Sequence, residues 1–110
     1  MVEADNGGLR YDADKSRVDL IPPDVLLALG NVYAYGAKKY ADRNWERGMP
    51  YSTMYGCLLR HLLKWAAGEE LDAESGLPHI DMAAWNAIAL SAYEKRKIGT
   101  DDRNILKQED

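Results

Sequence analysis

Apolar residues recur at intervals of three or four along three stretches of the chain, which is the spacing of one face of an α-helix. In the first stretch they are Val25, Leu29, Val32 and Gly36. Proline fits the first turn of a helix, so Pro22 and Pro23 predict where this helix begins. We expect it to run to about Tyr40, and we expect residues 9–21 before it to be extended or looped.

The second stretch predicts a helix that begins at an N-cap residue, Ser52, and ends at Gly68. Its shared face consists of Met54, Leu58, His61, Leu62 and Trp65. Between the first two helices, Asp42 to Pro50 is expected to be a loop, because Gly48 and Pro50 interrupt helical structure.

The third stretch predicts a helix from near Pro78 to Gly99, with apolar residues on more than one side. These sides carry Ile80, Ala84 and Ile88, then Trp85, then Ala83, Ala87 and Leu90. Three helices do not easily cover so much apolar surface. The pattern therefore predicts an all-α fold, a small bundle of three main helices completed by homo-oligomerisation as a dimer or tetramer.

Length and composition exclude several classes of protein. With 110 residues it is expected to form one domain at 9–99, between a flexible N-terminus at 1–8 and a frayed, charged tail at 100–110. Its net charge of −4 argues against a nucleic-acid binder, and its single cysteine excludes a disulfide framework. No run of residues predicts a membrane span or a signal peptide, so we expect a cytoplasmic protein.

Acidic side chains crowd the predicted turn between the second and third helices. They are Glu69, Glu70, Asp72 and Glu74, with Asp81 following early in the third helix. Such carboxylates repel one another, and a hard divalent cation would relieve the repulsion. Mg²⁺ or Mn²⁺ takes carboxylate oxygens and retains waters that phosphate oxygens can replace. The alternative is an ordinary solvated loop.

Two histidines flank this acidic loop, and each has two interpretations. If the second and third helices are antiparallel, His61 and His79 approach the loop from opposite walls and can act as metal ligands. Alternatively, His61 is a hydrogen-bonded residue at the edge of the core, and His79 caps a helix or bonds a phosphate.

Basic, aromatic and amide side chains supply a second set of candidates. Lys38, Lys39, Arg43 and Arg47 gather near the end of the first helix, where they bind an anion such as a triphosphate or only offset the helix dipole. Trp45 beside Asn44 could stack on a purine while the amide reads its edge, or could fill the core. Asn86 lies within an apolar helix, so a ligand is one candidate for its hydrogen-bond partner.

The strings KSRVDLIPP, YGAKKYADRNWERGMPYS, LLRHLLKWAAGEELDAESGLPHI and AAWNAIAL resemble the N-terminal domain of phage dATP/dGTP diphosphohydrolases, over about residues 9–94. The resemblance implies an enzyme of phage nucleotide metabolism that cuts dATP or dGTP into the monophosphate and pyrophosphate. It also implies similarity to MazG-like pyrophosphohydrolases, which are all-α, oligomeric and dependent on a divalent metal. Some relatives belong to phages that replace adenine with 2-aminoadenine.

The resemblance implies roles for individual residues. Metal ligands would be Glu69, Asp72 and Glu74 with His61 or His79. Substrate would be bound by Lys38, Lys39, Arg43, Asn44, Trp45, Arg60 and Asn86. Beyond the resemblance, we hypothesise that a carboxylate not fully engaged with the metal, Glu70 or Asp81, is the general base.

The chain departs from its relatives in two places. Many carry a second histidine three residues after the first, where this chain has Met82, and the E-x-x-E and E-x-x-D motifs of MazG-like enzymes are absent in that form. An HD-type phosphohydrolase is disfavoured because Ile80 separates His79 from Asp81. The alternative functions are a non-catalytic phage accessory module that binds a nucleotide or a host protein, and a purely structural oligomer.

Overall fold

A computed structural model describes residues 2–3, 9–10 and 14–106 of the chain. Within these residues the chain forms three α-helices, α1 (Pro23–Lys39), α2 (Tyr51–Ala66) and α3 (His79–Arg96). Short 3₁₀ turns at Val18–Leu20 and Asn44–Arg47 precede α1 and α2. The predicted all-α class is confirmed. None of the helices in this part of the chain is both long and apolar enough to span a bilayer.

Two very short strands precede the helices, although the sequence indicates no strand pair. β1 (Val2–Glu3) and β2 (Leu9–Arg10) are antiparallel, with Val2 opposite Arg10. Each strand is two residues long, so the fold class is unchanged. The predicted flexibility of residues 1–8 concerns positions that, apart from β1, lie outside the described residues.

The start of α2 differs from the prediction, because Ser52 lies inside the first turn and Pro50 is the N-cap residue. The free amides at this end are bonded by the C-terminal tail. Asp102 accepts a 2.9 Å bond from the Ser52 amide and a 2.5 Å bond from its hydroxyl. The Tyr51 amide donates to the Thr100 carbonyl at 2.9 Å. A carboxylate is stabilised at a helix N-terminus by the helix dipole, so Asp102 takes the role predicted for Ser52.

The same contacts show that the prediction of a frayed tail is wrong for residues 100–103. α3 ends at Arg96 rather than at Gly99, and Lys97 reverses the chain with a φ of 56°. Gly99 then passes so close to the loop before α2 that a Cβ atom there would lie 2.5 Å from the Met49 carbonyl oxygen. Glycine is required at this crossing, which directs the tail toward α2. Residues 107–110 lie outside the described residues.

The core lies where α2 packs antiparallel against α3. Its buried members are Tyr51, Met54, Ala89 and Tyr93. Tyr93 is fully buried, stacks on Tyr51, and donates a 2.5 Å hydrogen bond to the Trp45 carbonyl. α1 packs on α3 and buries Val32. This arrangement fixes the turn that contains Trp45 against the helices and leaves a cleft between that turn, α1, α2 and α3.

Candidate functional site

The cleft has a volume of about 790 Å³ and two chemically different ends. Its apolar and aromatic lining includes Val32, Tyr33, Trp45, Met49, Met54, Met82 and Trp85. Its polar lining includes Tyr35, Lys39, Asp42, Arg43, Asn44, His61, Asp72, Glu74 and Asn86. Trp85 follows His79 by six residues on α3, or about 9 Å of helix. His61 and Asp72 therefore line one end, which we call the histidine end because the buried His79 lies directly behind His61, and the tryptophans mark the aromatic end.

Antiparallel packing of α2 on α3 brings the two histidines of the chain together. The Nδ1 atoms of His61 and His79 are 2.9 Å apart, and the Nε2 atom of His79 is 2.5 Å from a Glu69 carboxylate oxygen. His79 is completely buried, whereas the Glu69 side chain is half exposed. The Nε2–H group of His79 can donate to Glu69, which leaves Nδ1 of His79 as an acceptor.

Asp72 completes this cluster from the loop between α2 and α3. One potential ligand atom from each of His61, Asp72 and His79 lies within 4.8 Å of the others. The loop is held in place because the Asp72 amide donates to the Leu77 carbonyl and the Ser75 amide donates to the Asp72 carboxylate, both at 2.8 Å. The histidine end is therefore a set of three side chains of metal-ligating type beside a hydrogen-bonded loop.

The electrostatics of this end favour a negative Asp72 carboxylate and a neutral His61 ring. Partial burial acts to raise the pKa of Asp72, but the hydrogen bonds from Ser75 and the nearby histidines outweigh it, and the pKa is lowered. Burial, followed by the charge of His79, lowers the pKa of His61. A neutral imidazole and an ionised carboxylate are the forms that ligate cations.

An ion pair crosses the cleft beside the histidine end. The ammonium group of Lys39 at the end of α1 lies 2.6 Å from the Glu74 carboxylate. Hydrogen bonds from Lys39 and then from Tyr35 hold the pKa of Glu74 below its usual range. Both partners are exposed to solvent, so this pair contributes little to stability. It does place one cation and one carboxylate at the position where an anionic ligand would enter.

Indole rings and an amide form the aromatic end. The Trp45 ring lies 6.0 Å from Tyr33 and 6.3 Å from Trp85, in edge-to-face arrangements. The Nε1 atom of Trp85 is buried, and the described part of the chain offers it no hydrogen-bond acceptor. The Asn86 amide nitrogen donates to the Met82 carbonyl one turn earlier on α3, at 2.9 Å. This end can enclose a flat ring and offer it polar groups.

The structure brings together most, but not all, of the residues predicted to form a site. His61, Asp72 and His79 form one cluster, and Glu69 contacts it from behind His79. The predicted substrate-binding residues that line the cleft are Lys39, Arg43, Asn44, Trp45 and Asn86.

Six predicted residues are not among those that line the cleft: Lys38, Arg60, Glu69, Glu70, His79 and Asp81. The Arg60 guanidinium lies 3.2 Å from the Cys57 sulfur on the same helix. Glu70 contributes its carbonyl oxygen to the His79 amide, at 2.8 Å. The general-base role of Glu70 or Asp81 stays a prediction.

Tyr33, Tyr35 and Trp85 line the cleft and are among the lining residues that were not selected from the sequence as site residues. Tyr35 precedes Lys39 by four positions, a spacing that places both side chains on the same face of α1. Trp85 adjoins Asn86, and Tyr33 is two positions before Tyr35. The signal for Tyr35 was therefore present in the helical spacing, whereas only the packing shows that Trp85 and Tyr33 face the cleft.

Comparison with known proteins gives a family and a relative. Residues 5–103 match the family model described as dATP/dGTP diphosphohydrolase, N-terminal. Over 96 residues the chain is 28% identical to a dATP/dGTP diphosphohydrolase of Salmonella phage PMBT28. The aligned part is 87% of this chain and 33% of that protein, so the chain spans about a third of its relative. No solved structure matches the chain.

Proposed function

The chain belongs to the dATP/dGTP diphosphohydrolase N-terminal family, and from this premise we propose that it hydrolyses dATP or dGTP to the monophosphate and pyrophosphate. The name of the phage relative supports the substrate class. The observation that carries the proposal is the cluster of His61, Asp72 and His79 at one end of a cleft whose other end is aromatic. A nucleoside triphosphate has the same polarity, with phosphates at one end and a flat base at the other.

The dimensions and charge of the cleft support a substrate that arrives with a cation. Its volume of about 790 Å³ lies in the range typical of small-molecule sites. Three carboxylates line it, Asp42, Asp72 and Glu74, against two fully charged cations, Lys39 and Arg43. A triphosphate would be repelled by this excess of negative charge unless a divalent cation offset it.

The donor set fits such a cation. His61, Asp72 and His79 would hold it, since two imidazoles and a carboxylate are common ligands of divalent metals. When bound, the cation would neutralise phosphate charge and lower the pKa of a bound water. Glu69 would orient His79 through its Nε2 atom rather than ligate the cation, and Glu74 would hold Lys39 in place.

Side chains along the rest of the cleft would bind and orient the nucleotide. Lys39 and Arg43 would donate to phosphate oxygens, and Lys39 would exchange its bond with Glu74 for one with the substrate. The base would lie against Trp45, with Trp85 and Asn86 offering hydrogen bonds to its edge. This arrangement would hold the triphosphate near the cluster, which is the positioning that accelerates hydrolysis.

Hydrolysis can be tested with the purified chain, dATP or dGTP, and Mn²⁺, by separating the products chromatographically. We expect monophosphate and pyrophosphate in equal amounts, and no product after chelation with EDTA. The variant Asp72→Asn is expected to lose turnover, whereas the matched variant Asp24→Asn, at the exposed start of α1, keeps it. Absence of product with either nucleotide and any divalent cation would contradict the proposal for this chain.

A second candidate is a nucleotide-binding module without hydrolysis. The observation that favours it is that neither predicted general base, Glu70 or Asp81, is among the residues that line the cleft. A thermal shift with dGTP that needs no divalent cation, in the absence of any product, would support this second candidate.

We also propose that the chain forms a homo-oligomer. α1 exposes Val25, Leu26 and Leu27, and α3 exposes Ile80 and Ile88 on one face. Burial of these side chains by a second copy would remove apolar surface from water. Light scattering coupled to gel filtration should give a mass of two or four chains. A mass of about one chain across micromolar concentrations would refute the proposal.

A further inference from the structure

We infer that the cluster of His61, Asp72 and His79 selects a first-row transition cation, such as Mn²⁺, Fe²⁺ or Co²⁺, over Mg²⁺. The inference rests on the proposed function and deepens it by naming the chemical class of the cation. The sequence predicts Mg²⁺ or Mn²⁺ from a loop rich in carboxylates. The structure assembles a different donor set, with two imidazole nitrogens and one carboxylate.

The acidic side chains that would favour Mg²⁺ are directed to other partners. Glu69 bonds the far side of His79, and Glu74 pairs with Lys39. Glu70 is exposed and does not line the cleft. Mg²⁺ prefers oxygen ligands and gives up its waters reluctantly, so a site with two nitrogens out of three donors is poorly suited to it. Imidazole instead suits iron and the later first-row ions, and the affinity of a site with nitrogen and oxygen donors rises from Mn²⁺ through Fe²⁺ to Co²⁺.

The two histidine rings already meet through the nitrogens that would hold the ion. Their Nδ1 atoms are 2.9 Å apart, which is a hydrogen-bond distance. A potential ligand atom of Asp72 lies within 4.8 Å of one from each ring. A cation held by these three side chains would therefore replace the hydrogen bond between the rings.

Glu69 prepares His79 for this role as a positioning residue. A carboxylate that accepts from Nε2–H fixes the ring with its Nδ1 lone pair directed at His61. His79 is fully buried and its amide is bonded to Glu70, so neither its ring nor its backbone has freedom to turn away. The pairing of a carboxylate with the outer nitrogen of a histidine is the usual support of a metal-ligating imidazole.

The test is a titration of the full chain, without nucleotide, by MgCl₂, MnCl₂ and CoCl₂ in separate calorimetry runs. Visible absorption of Co²⁺ provides a second readout of nitrogen ligation. We expect Co²⁺ to bind more tightly than Mn²⁺, and both to bind at least about tenfold more tightly than Mg²⁺. Equal or tighter binding of Mg²⁺ would overturn the inference.

Two variants link the selectivity to the cluster, and a third is the control. His61→Ala and the isosteric Asp72→Asn should each weaken Co²⁺ binding by at least about tenfold, whereas Glu94→Gln, which changes an exposed carboxylate on the far end of α3, should leave it unchanged. Circular dichroism checks that each variant keeps its helices. If both cluster variants retain the affinity of the original chain for Co²⁺, the inference is wrong.

These outcomes separate the inference from the proposed function. Hydrolysis of dGTP with Mg²⁺ as tightly bound as Co²⁺ would support the function and overturn the selectivity. Selective uptake of Co²⁺ by the cluster without hydrolysis of any nucleotide would support the selectivity and contradict the function.

Discussion

The two ends of the cleft differ in the interactions that hold them together. The histidine end combines two helices with a hydrogen-bonded loop, and its side chains contact one another through polar atoms, as His61, His79 and Asp72 do. The aromatic end consists of packed rings, among them Trp45 and Trp85, that continue into the core of α2 and α3. The histidine end holds polar atoms in place, although their burial removes them from water. The packed rings of the aromatic end make that end rigid. We therefore expect substitutions at the histidine end to affect cation binding and turnover, and substitutions at the aromatic end to affect nucleotide affinity and stability.

Asp72→Asn should show the largest difference between an effect on turnover and an effect on stability. Loss of the carboxylate charge should reduce turnover of dGTP by at least about 100-fold. Loss of a residue that only supports a metal ligand costs up to about 100-fold, and loss of a ligand itself should cost at least as much. The amide can still accept from the Ser75 backbone, so the loop and the melting temperature should change little. Steady-state kinetics and thermal unfolding measure the two effects. Retained turnover would remove the cluster from the reaction.

A smaller effect at the same end is expected from Glu69→Gln, which keeps the shape of the side chain and removes its charge. Cation affinity should fall by about 10- to 100-fold because His79 loses its charged partner. Calorimetry with Mn²⁺ measures the change. Glu94→Gln is the control, and an unchanged affinity in Glu69→Gln would mean that Glu69 is only a surface group beside His79.

At the aromatic end, Trp85→Phe should change nucleotide affinity without changing cation affinity. The substitution removes a buried N–H group that has no acceptor among the described residues, so the free energy of unfolding should not fall through loss of a hydrogen bond. If that group bonds the base, dGTP should bind about 2- to 10-fold more weakly, the value of one hydrogen bond. Fluorescence or calorimetric titration measures it, and unchanged affinity would show that Trp85 does not contact the base.

The smallest effect is expected in the core beside this end, from Tyr93→Phe. The hydroxyl of Tyr93 donates to the Trp45 carbonyl, and its loss should lower the free energy of unfolding by about 1 kcal/mol. Urea unfolding of the nucleotide-free chain measures the change, with Tyr55→Phe on the exposed face of α2 as the control. A decrease in Mn²⁺ affinity in the same variant would contradict the independence of the two ends.

Much of the fold could be predicted because helix patterns and helix ends are local properties. Pro22 and Pro23 mark the start of α1, Gly68 lies just beyond the end of α2 with a φ of 97°, and the apolar spacing gives the three helices. The end of α3 and the start of α2 were misplaced for a different reason. Both depend on the return of residues 98–103 across α2, and a contact between positions about 50 residues apart leaves no periodic signal.

The candidate site could be predicted in composition but not in arrangement. The acidic loop and the two histidines indicate a cation, and the sequence distributes the ligand roles over all the acidic residues. The structure separates them, because Glu69 turns toward His79 and Glu74 toward Lys39. Which carboxylate faces the cluster depends on the turn held by Asp72 and Ser75, and the spacing along the chain does not reveal it.

By itself, the sequence determined that this protein is helical and where α1 and α3 begin, since side-chain spacing and residue type act over a few positions. Only the tertiary structure decided that two histidines 18 residues apart face each other at 2.9 Å and that Trp85 both packs against the core and lines the cleft. It also decided that the tail caps α2 through Asp102. Each of these depends on how α2 packs against α3, a relation that is fixed by buried surface from distant parts of the chain rather than by any local pattern.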